Sequence, residues 1–281
     1  MNSRIPALRE KLKSDRLQAC LIYSDVNRNY LTGFTGSSGA LVLLPANALF
    51  ITDSRYTLQA GRQVQGAQVT LQTRSLLVEA VDFFKRSKVQ RIGFEASHVN
   101  VTQYQWLVKQ LPKVTWVPLQ GVVESLRLVK DGGEKVALRK AGRVADQTFH
   151  HILPHIKPGV SERDLASEME HFMRRQGAEG PSFETIVASG WRSALPHGIA
   201  SSKLLEKGDM IVFDFGCRLD GYCSDMSRTV CVGKASAFQK RFSQLISTGN
   251  AGKVSSLSSG DSRSNLSQHF HRGTAGKIRK G

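Results

Sequence analysis

Apolar residues recur at three- and four-residue spacing over residues 4–13, which predicts an opening helix. Largely apolar runs of strand length follow at 19–23, 40–44 and 48–52. Pro45, Ala46 and Asn47 separate the last two runs, and that composition suits a hairpin turn. The helical period returns over 75–85, and 91–94 reads as a strand. Tyr104, Leu107, Val108 and Leu111 share one helical face before Pro112, and 114–117 closes the series as a strand. Helices alternating with strands predict a mixed or parallel sheet covered by helices.

The texture changes near residue 130. Asp131-Gly132-Gly133 punctuates the chain, and a long helical stretch runs from 134 to about 151. Lys157-Pro158-Gly159 makes a turn, and Ser161-Glu162-Arg163-Asp164 reads as a capping box. Leu165, Met169, Phe172 and Met173 form the apolar stripe of the helix it opens, and Gly177 stops that helix. Strands are predicted at 185–189, 210–215 and 229–232. Residues 249–281 hold seven Ser and six Gly, with few apolar residues and no period, so they read as disordered. The fold class is therefore α/β in its first part and α+β beyond. The expected domains are 1–130, 131–242 and a Ser/Gly/basic tail over 243–281.

Composition narrows the function. At 281 residues the chain is long enough to bury a sizeable core without disulfide staples. No apolar run approaches a membrane span and no secretory signal opens the chain, so a cytoplasmic location is expected, with Cys20, Cys217, Cys223 and Cys231 reduced. The net charge is +16, and the segment from Lys240 onward supplies eight basic residues against the single acid Asp261. Phe270 is the only aromatic residue of 249–281, so no interleaved stacking pattern supports nucleic-acid binding, and no membrane or nucleic-acid partner is expected.

The chemistry concentrates in two places. Asp214 lies inside the apolar run Ile211-Val212-Phe213-Asp214-Phe215-Gly216, where a carboxylate needs a cation or donors beside it. A two-residue turn at Asp220-Gly221 would set Asp225 opposite Gly216 and make Asp214 and Asp225 diagonal neighbours on one face. Two carboxylates so placed repel unless a hard divalent ion lies between them. A three-residue loop would put them on opposite faces and end that argument. The alternative reading, whatever the turn, is a strand-end acid and a turn acid bonded to backbone amides. The second place is the loop 188–198, rich in Gly, Ser and Pro, with His197 near its end. Cys217, Cys223 and Cys231 match no zinc spacing and read as small buried hydrophobes, and His150 and His151 as a polar helix face.

At these residues the sequence resembles the pita-bread metallopeptidases of the creatinase, prolidase and Xaa-Pro aminopeptidase group, most of all the short bacterial proline-directed enzymes. Residues 29–37 (Asn29-Tyr30-Leu31-Thr32-Gly33) and 50–56 (Thr52-Asp53-Ser54-Arg55-Tyr56) look like the N-terminal creatinase-like domain. Leu126-Arg127-Leu128-Val129-Lys130 looks like the junction, 183–190 with Leu195-Pro196-His197-Gly198 like the substrate-side histidine loop, and Phe213-Asp214-Phe215-Gly216 through Asp225 like the first two metal ligands. The match covers about residues 1–240. It implies a pair of divalent ions (Mn, Co or Zn) and hydrolysis of the Xaa-Pro bond by an activated water. By the same resemblance Asp214 and Asp225 are ligands, His197 steadies the substrate, and a peptide with proline second is the substrate. A homodimer is also implied.

The family's remaining ligands are one His and two Glu farther along. Here Glu206 is the last glutamate and His269-Phe270-His271 does not match the histidine motif, so three of five ligands are missing and half of the catalytic sheet with them. The expectation is a truncated or frame-shifted member with weak or no metal retention and little peptidase activity. The alternative is a non-catalytic pita-bread interaction protein with a basic tail. No residue selects the amidinohydrolase branch.

Overall fold

A computed structural model describes residues 4–241, so the expected tail over 243–281 lies outside the described residues. The first helix, α1 (Arg4–Ser14), buries Ile5, Leu8 and Leu12 and leads into β1 (Ala19–Ile22). There follow α2 (Asp25–Thr32), β2 (Ala40–Leu43), β3 (Ala48–Thr52), α3 (Thr57–Gln63) and β4 (Gln68–Leu71). Next come α4 (Leu76–Ser87), β5 (Arg91–Glu95), α5 (Val101–Gln110), β6 (Thr115–Leu119) and α6 (Val122–Leu128). The six strands form one mixed sheet in the order β4-β3-β2-β1-β5-β6. β1–β2 and β2–β3 are antiparallel; β3–β4, β1–β5 and β5–β6 are parallel.

These apolar runs have a simple cause. Successive side chains of a strand point to opposite faces, and here both faces are covered. Ala19 and Leu21 join one buried cluster with Val42, Ile51, Phe84 and Trp116, whereas Cys20 and Ile22 join another with Leu8, Leu31, Leu41 and Phe50. β1 and β2 are therefore hydrophobic at every position.

Compact units divide the chain at Ala141/Gly142, with Arg218–Cys223 counted in the first unit. The helix α7 (Gly132–Ile152) carries the chain from the first unit into the second. The second unit holds α8 (Glu162–Arg175), β7 (Gly180–Pro181), β8 (Ile186–Ser189), β9 (Met210–Phe215) and β12 (Met226–Cys231). The short strands β10 (Cys217–Leu219) and β11 (Tyr222–Cys223) come between β9 and β12 in sequence. The sequence's capping box at Ser161 is present: Ser161 Oγ accepts from the Asp164 amide, and the Asp164 carboxylate accepts from the Ser161 amide. β8, β9 and β12 form an antiparallel sheet with β9 in the middle. In β9, Ile211, Phe213 and Phe215 are buried, while Met210, Val212 and Asp214 alternate on the half-exposed face. The predicted strand at 229–232 proves longer and starts at Met226. No helix among the described residues is long and apolar enough to cross a membrane.

Candidate functional site

The hairpin carrying Asp214 and Asp225 follows the two-residue turn read from the sequence. Asp220 and Gly221 both have positive φ, 52° and 75°, the pair of angles a type I′ turn requires. Arg218 pairs with Cys223 and Leu219 with Tyr222. Farther along, Phe215 pairs with Met226 and Asp214 with Ser227. Both ladders keep one register, so Asp225 falls opposite Gly216, two positions from Asp214. Asp214 is half-buried and Asp225 exposed. The donor that a carboxylate in an apolar strand needs is Ser227, whose Oγ donates to Asp214 Oδ1 at 2.8 Å.

Between the two acids the ladder is distorted. The Ser224 amide donates to the Cys217 carbonyl, but the Cys217 amide turns to Ser224 Oγ rather than to its carbonyl. The Ser224 carbonyl accepts instead from Ser182 Oγ at 2.8 Å, and the Ser182 amide bonds the Gly216 carbonyl. A Cβ at Gly216 would collide with the Ser224 carbonyl and with Ser182 Oγ, so only glycine fits there.

His197 is exposed in the turn after a 3₁₀ segment, Gly190–Ala194. A buried carboxylate, Glu162 at the first turn of α8, ties its loop down. Glu162 accepts from the amide and hydroxyl of Ser189, the amide and hydroxyl of Ser201, and Arg192 Nε at 3.0 Å. Burial pushes its pKa up, but the hydrogen bonds from Ser201 and Ser189 together outweigh burial and hold it below the usual carboxylate value. Arg192 Nη2 also donates to the Ile199 carbonyl at 2.6 Å, and the Ile199 amide bonds the His197 carbonyl. Glu162 thus positions both ends of the histidine loop. The sequence reading took it only as part of a helix cap. The available signal was an acid beside an N-cap with Ser and Arg in the loop it meets, and that signal is not specific.

Two expectations change. Of the three cysteines, Cys217 is buried, but Cys231 is half-exposed and Cys223 exposed, because Cys223 lies in the hairpin tip. His151 is not simply polar surface: it is half-buried, stacked on Phe172 and bonded to Glu168. Among the described residues, the His, Cys, Asp and Glu groups close enough to form a three-ligand set are His151, His155 and Glu168, which do not include the predicted ligands.

This architecture is that of known peptidases. Residues 4–129 match the creatinase/prolidase N-terminal domain, and residues 136–266 match metallopeptidase family M24. The second match runs past the described residues. An uncharacterized peptidase, YqhT of Bacillus subtilis, is 44% identical over 230 residues, which cover 82% of this chain and 65% of that protein. The chain therefore spans somewhat under two thirds of that relative's length. The Xaa-Pro dipeptidase of Bacillus anthracis superposes with a TM-score of 0.81 at 39% identity, over 85% of this chain and 67% of that one. The X-Pro aminopeptidase of Thermotoga maritima does so with 0.76 at 33% identity, over 82% and 67%. The fold is that of the pita-bread metallopeptidases. The chain belongs to the M24 family and carries its creatinase/prolidase-type N-terminal domain.

Proposed function

We propose that this chain is a proline-directed peptidase of the M24 type that uses Asp214 and Asp225 as metal donors and His197 on the substrate side. The hairpin register supports this reading most directly, because it brings two carboxylates to neighbouring positions on one strand pair. Carboxylate oxygens suit hard divalent ions, and the donor set fits that class. A bound divalent ion would supply Lewis acidity and a nucleophilic water for attack on a peptide carbonyl. Asp214 keeps its orientation through the Ser227 hydroxyl, which leaves its other oxygen for a cation. His197, exposed on a loop that Glu162 ties down, would donate a hydrogen bond to substrate. The substrate class, a peptide with proline second, follows the names of the relatives. The proposed location is the cytoplasm, as the sequence reading expects.

The 281-residue polypeptide has no glutamate after Glu206, so we expect it to bind manganese weakly and to hydrolyse slowly by itself. The test is Mn²⁺ titration by calorimetry together with hydrolysis of a Xaa-Pro dipeptide. Weak Mn²⁺ binding that disappears in D214N/D225N supports the reading. Binding unchanged in that variant overturns the ligand assignment. Turnover as fast as that of a longer relative, assayed in parallel, overturns the expectation of low activity.

A further inference from the structure

We propose that His151, His155 and Glu168 form a second metal site, selective for zinc-class divalent ions, that clips the end of α7 to α8. The donor atoms of the three side chains lie within 4.8 Å of one another. His151 ends α7, His155 follows it by one turn, and Glu168 projects from α8. His151 Nε2 and Glu168 Oε1 are 2.6 Å apart, and the two imidazole centroids are 4.9 Å apart.

Three features separate this cluster from an ordinary surface ion pair. The first is preorganisation: the His151 ring lies flat on Phe172, with centroids 4.2 Å apart and planes 15° apart, so one donor is held in place before any ion arrives. The second is the second shell. His155 Nδ1 lies 3.0 Å from the His151 carbonyl, which only accepts, so Nδ1 carries the proton. The Nε2 lone pair is then free, and a backbone carbonyl orients the ring as it does for metal-bound histidines. The third is the donor set. Two imidazoles and one carboxylate suit Zn²⁺, Ni²⁺ and Cu²⁺, in contrast to the all-carboxylate pair of Asp214 and Asp225, which suits harder ions. Tetrahedral zinc sets its donors about 3.4 Å apart. His155 is exposed and Glu168 half-exposed, so rotation of these two side chains brings the donors together around an ion. On binding, His151 Nε2 gives up its proton, which leaves to solvent from the imidazolium or is replaced by one at Nδ1 in the neutral ring, and water completes the coordination sphere.

The test uses the tag-free 281-residue chain. Zn²⁺ is titrated by calorimetry, and Cu²⁺ is added at one equivalent for electron paramagnetic resonance. The expected result is a copper spectrum with coupling to two imidazole nitrogens. Zinc affinity should fall at least about tenfold in H155A and in E168Q. It should be unchanged in D214N/D225N and in H171A, a histidine one turn from Glu168 that is not assigned as a ligand. Unaltered zinc affinity in H155A would overturn the site, as would a copper spectrum without imidazole coupling. Loss of zinc binding in D214N/D225N alone would also overturn it, because the ion would then sit at the carboxylate pair. The D214N/D225N arm keeps failure of this site distinct from failure of the peptidase reading.

Discussion

Glu162 has no exposed side-chain surface, and five donors meet its carboxylate. Removing its charge would leave Arg192 without its anion in a mostly buried setting. Breaking a buried pair from one side costs about 3–5 kcal/mol. Glu162→Gln keeps the shape and some of the hydrogen bonds, so the expected loss is nearer about 3 kcal/mol, read from the midpoint of urea unfolding. The sign of the pH dependence follows from the lowered pKa. Its contribution is fully present above the unfolded glutamate value, about 4.3. It is lost as pH falls through the lower folded value. The acid limb of the unfolding curve should therefore flatten in Glu162→Gln. At this scale the sequence was partly legible. Asp214 stood out because an acid is rare inside an apolar run. Glu162 did not, because its partners Ser189, Arg192 and Ser201 are brought to it only by the fold.

Elements were legible where burial imposes a period. β9 matches the predicted range end to end, and the β2–β3 hairpin forms around the expected turn. α2 escaped notice because it buries polar groups in place of an apolar stripe. Asn27 donates to Glu95 and Glu124, and Arg28 to the Tyr23 carbonyl. Glu95 and Glu124 are distant in sequence, so the apolar pattern along the chain does not announce the helix. β4 is a half-exposed edge strand and α3 is a short helix of mixed composition, and neither gave a signal. In the hairpin, Gly216→Ala would drive a methyl group into the Ser224 carbonyl and Ser182 Oγ. Overpacking of this kind costs about 1–3 kcal/mol or more. Because the collision lies between Asp214 and Asp225, Mn²⁺ affinity should fall together with the melting temperature. Gly221→Ala should cost about 1 kcal/mol or more, through its positive φ and a Cβ 2.9 Å from Asn29 Nδ2, and leave Mn²⁺ affinity unchanged, since the change lies at the turn and not between the two acids.

For the whole molecule, both buried clusters of the first sheet are made from residues between Ile5 and Leu126. A core closed within that range predicts independent folding. A fragment of residues 1–130 should give a single cooperative thermal transition with near-ultraviolet circular dichroism from Trp116. A broad, non-cooperative melt would place the domain boundary elsewhere. Arg4 pairs with Asp131 at 2.8 Å and lies 3.7 Å from the buried Glu134, so a fragment ending at 130 gives up those ion pairs and should melt a few degrees below one ending at 141.

The place of β1 in its sheet bears on the order in which the polypeptide is made. One edge of β1 finds β2 within about 25 residues, but its other edge waits for β5, where Ala19 meets Ile92. At about 5–20 residues per second, a ribosome needs roughly 4–15 seconds to supply that partner. Throughout that interval a fully apolar strand presents an open row of amides and carbonyls, the arrangement most prone to pairing with a neighbouring nascent chain. Codon changes that slow translation between residues 43 and 91 should therefore lower the soluble yield, and added holdase chaperone should restore it.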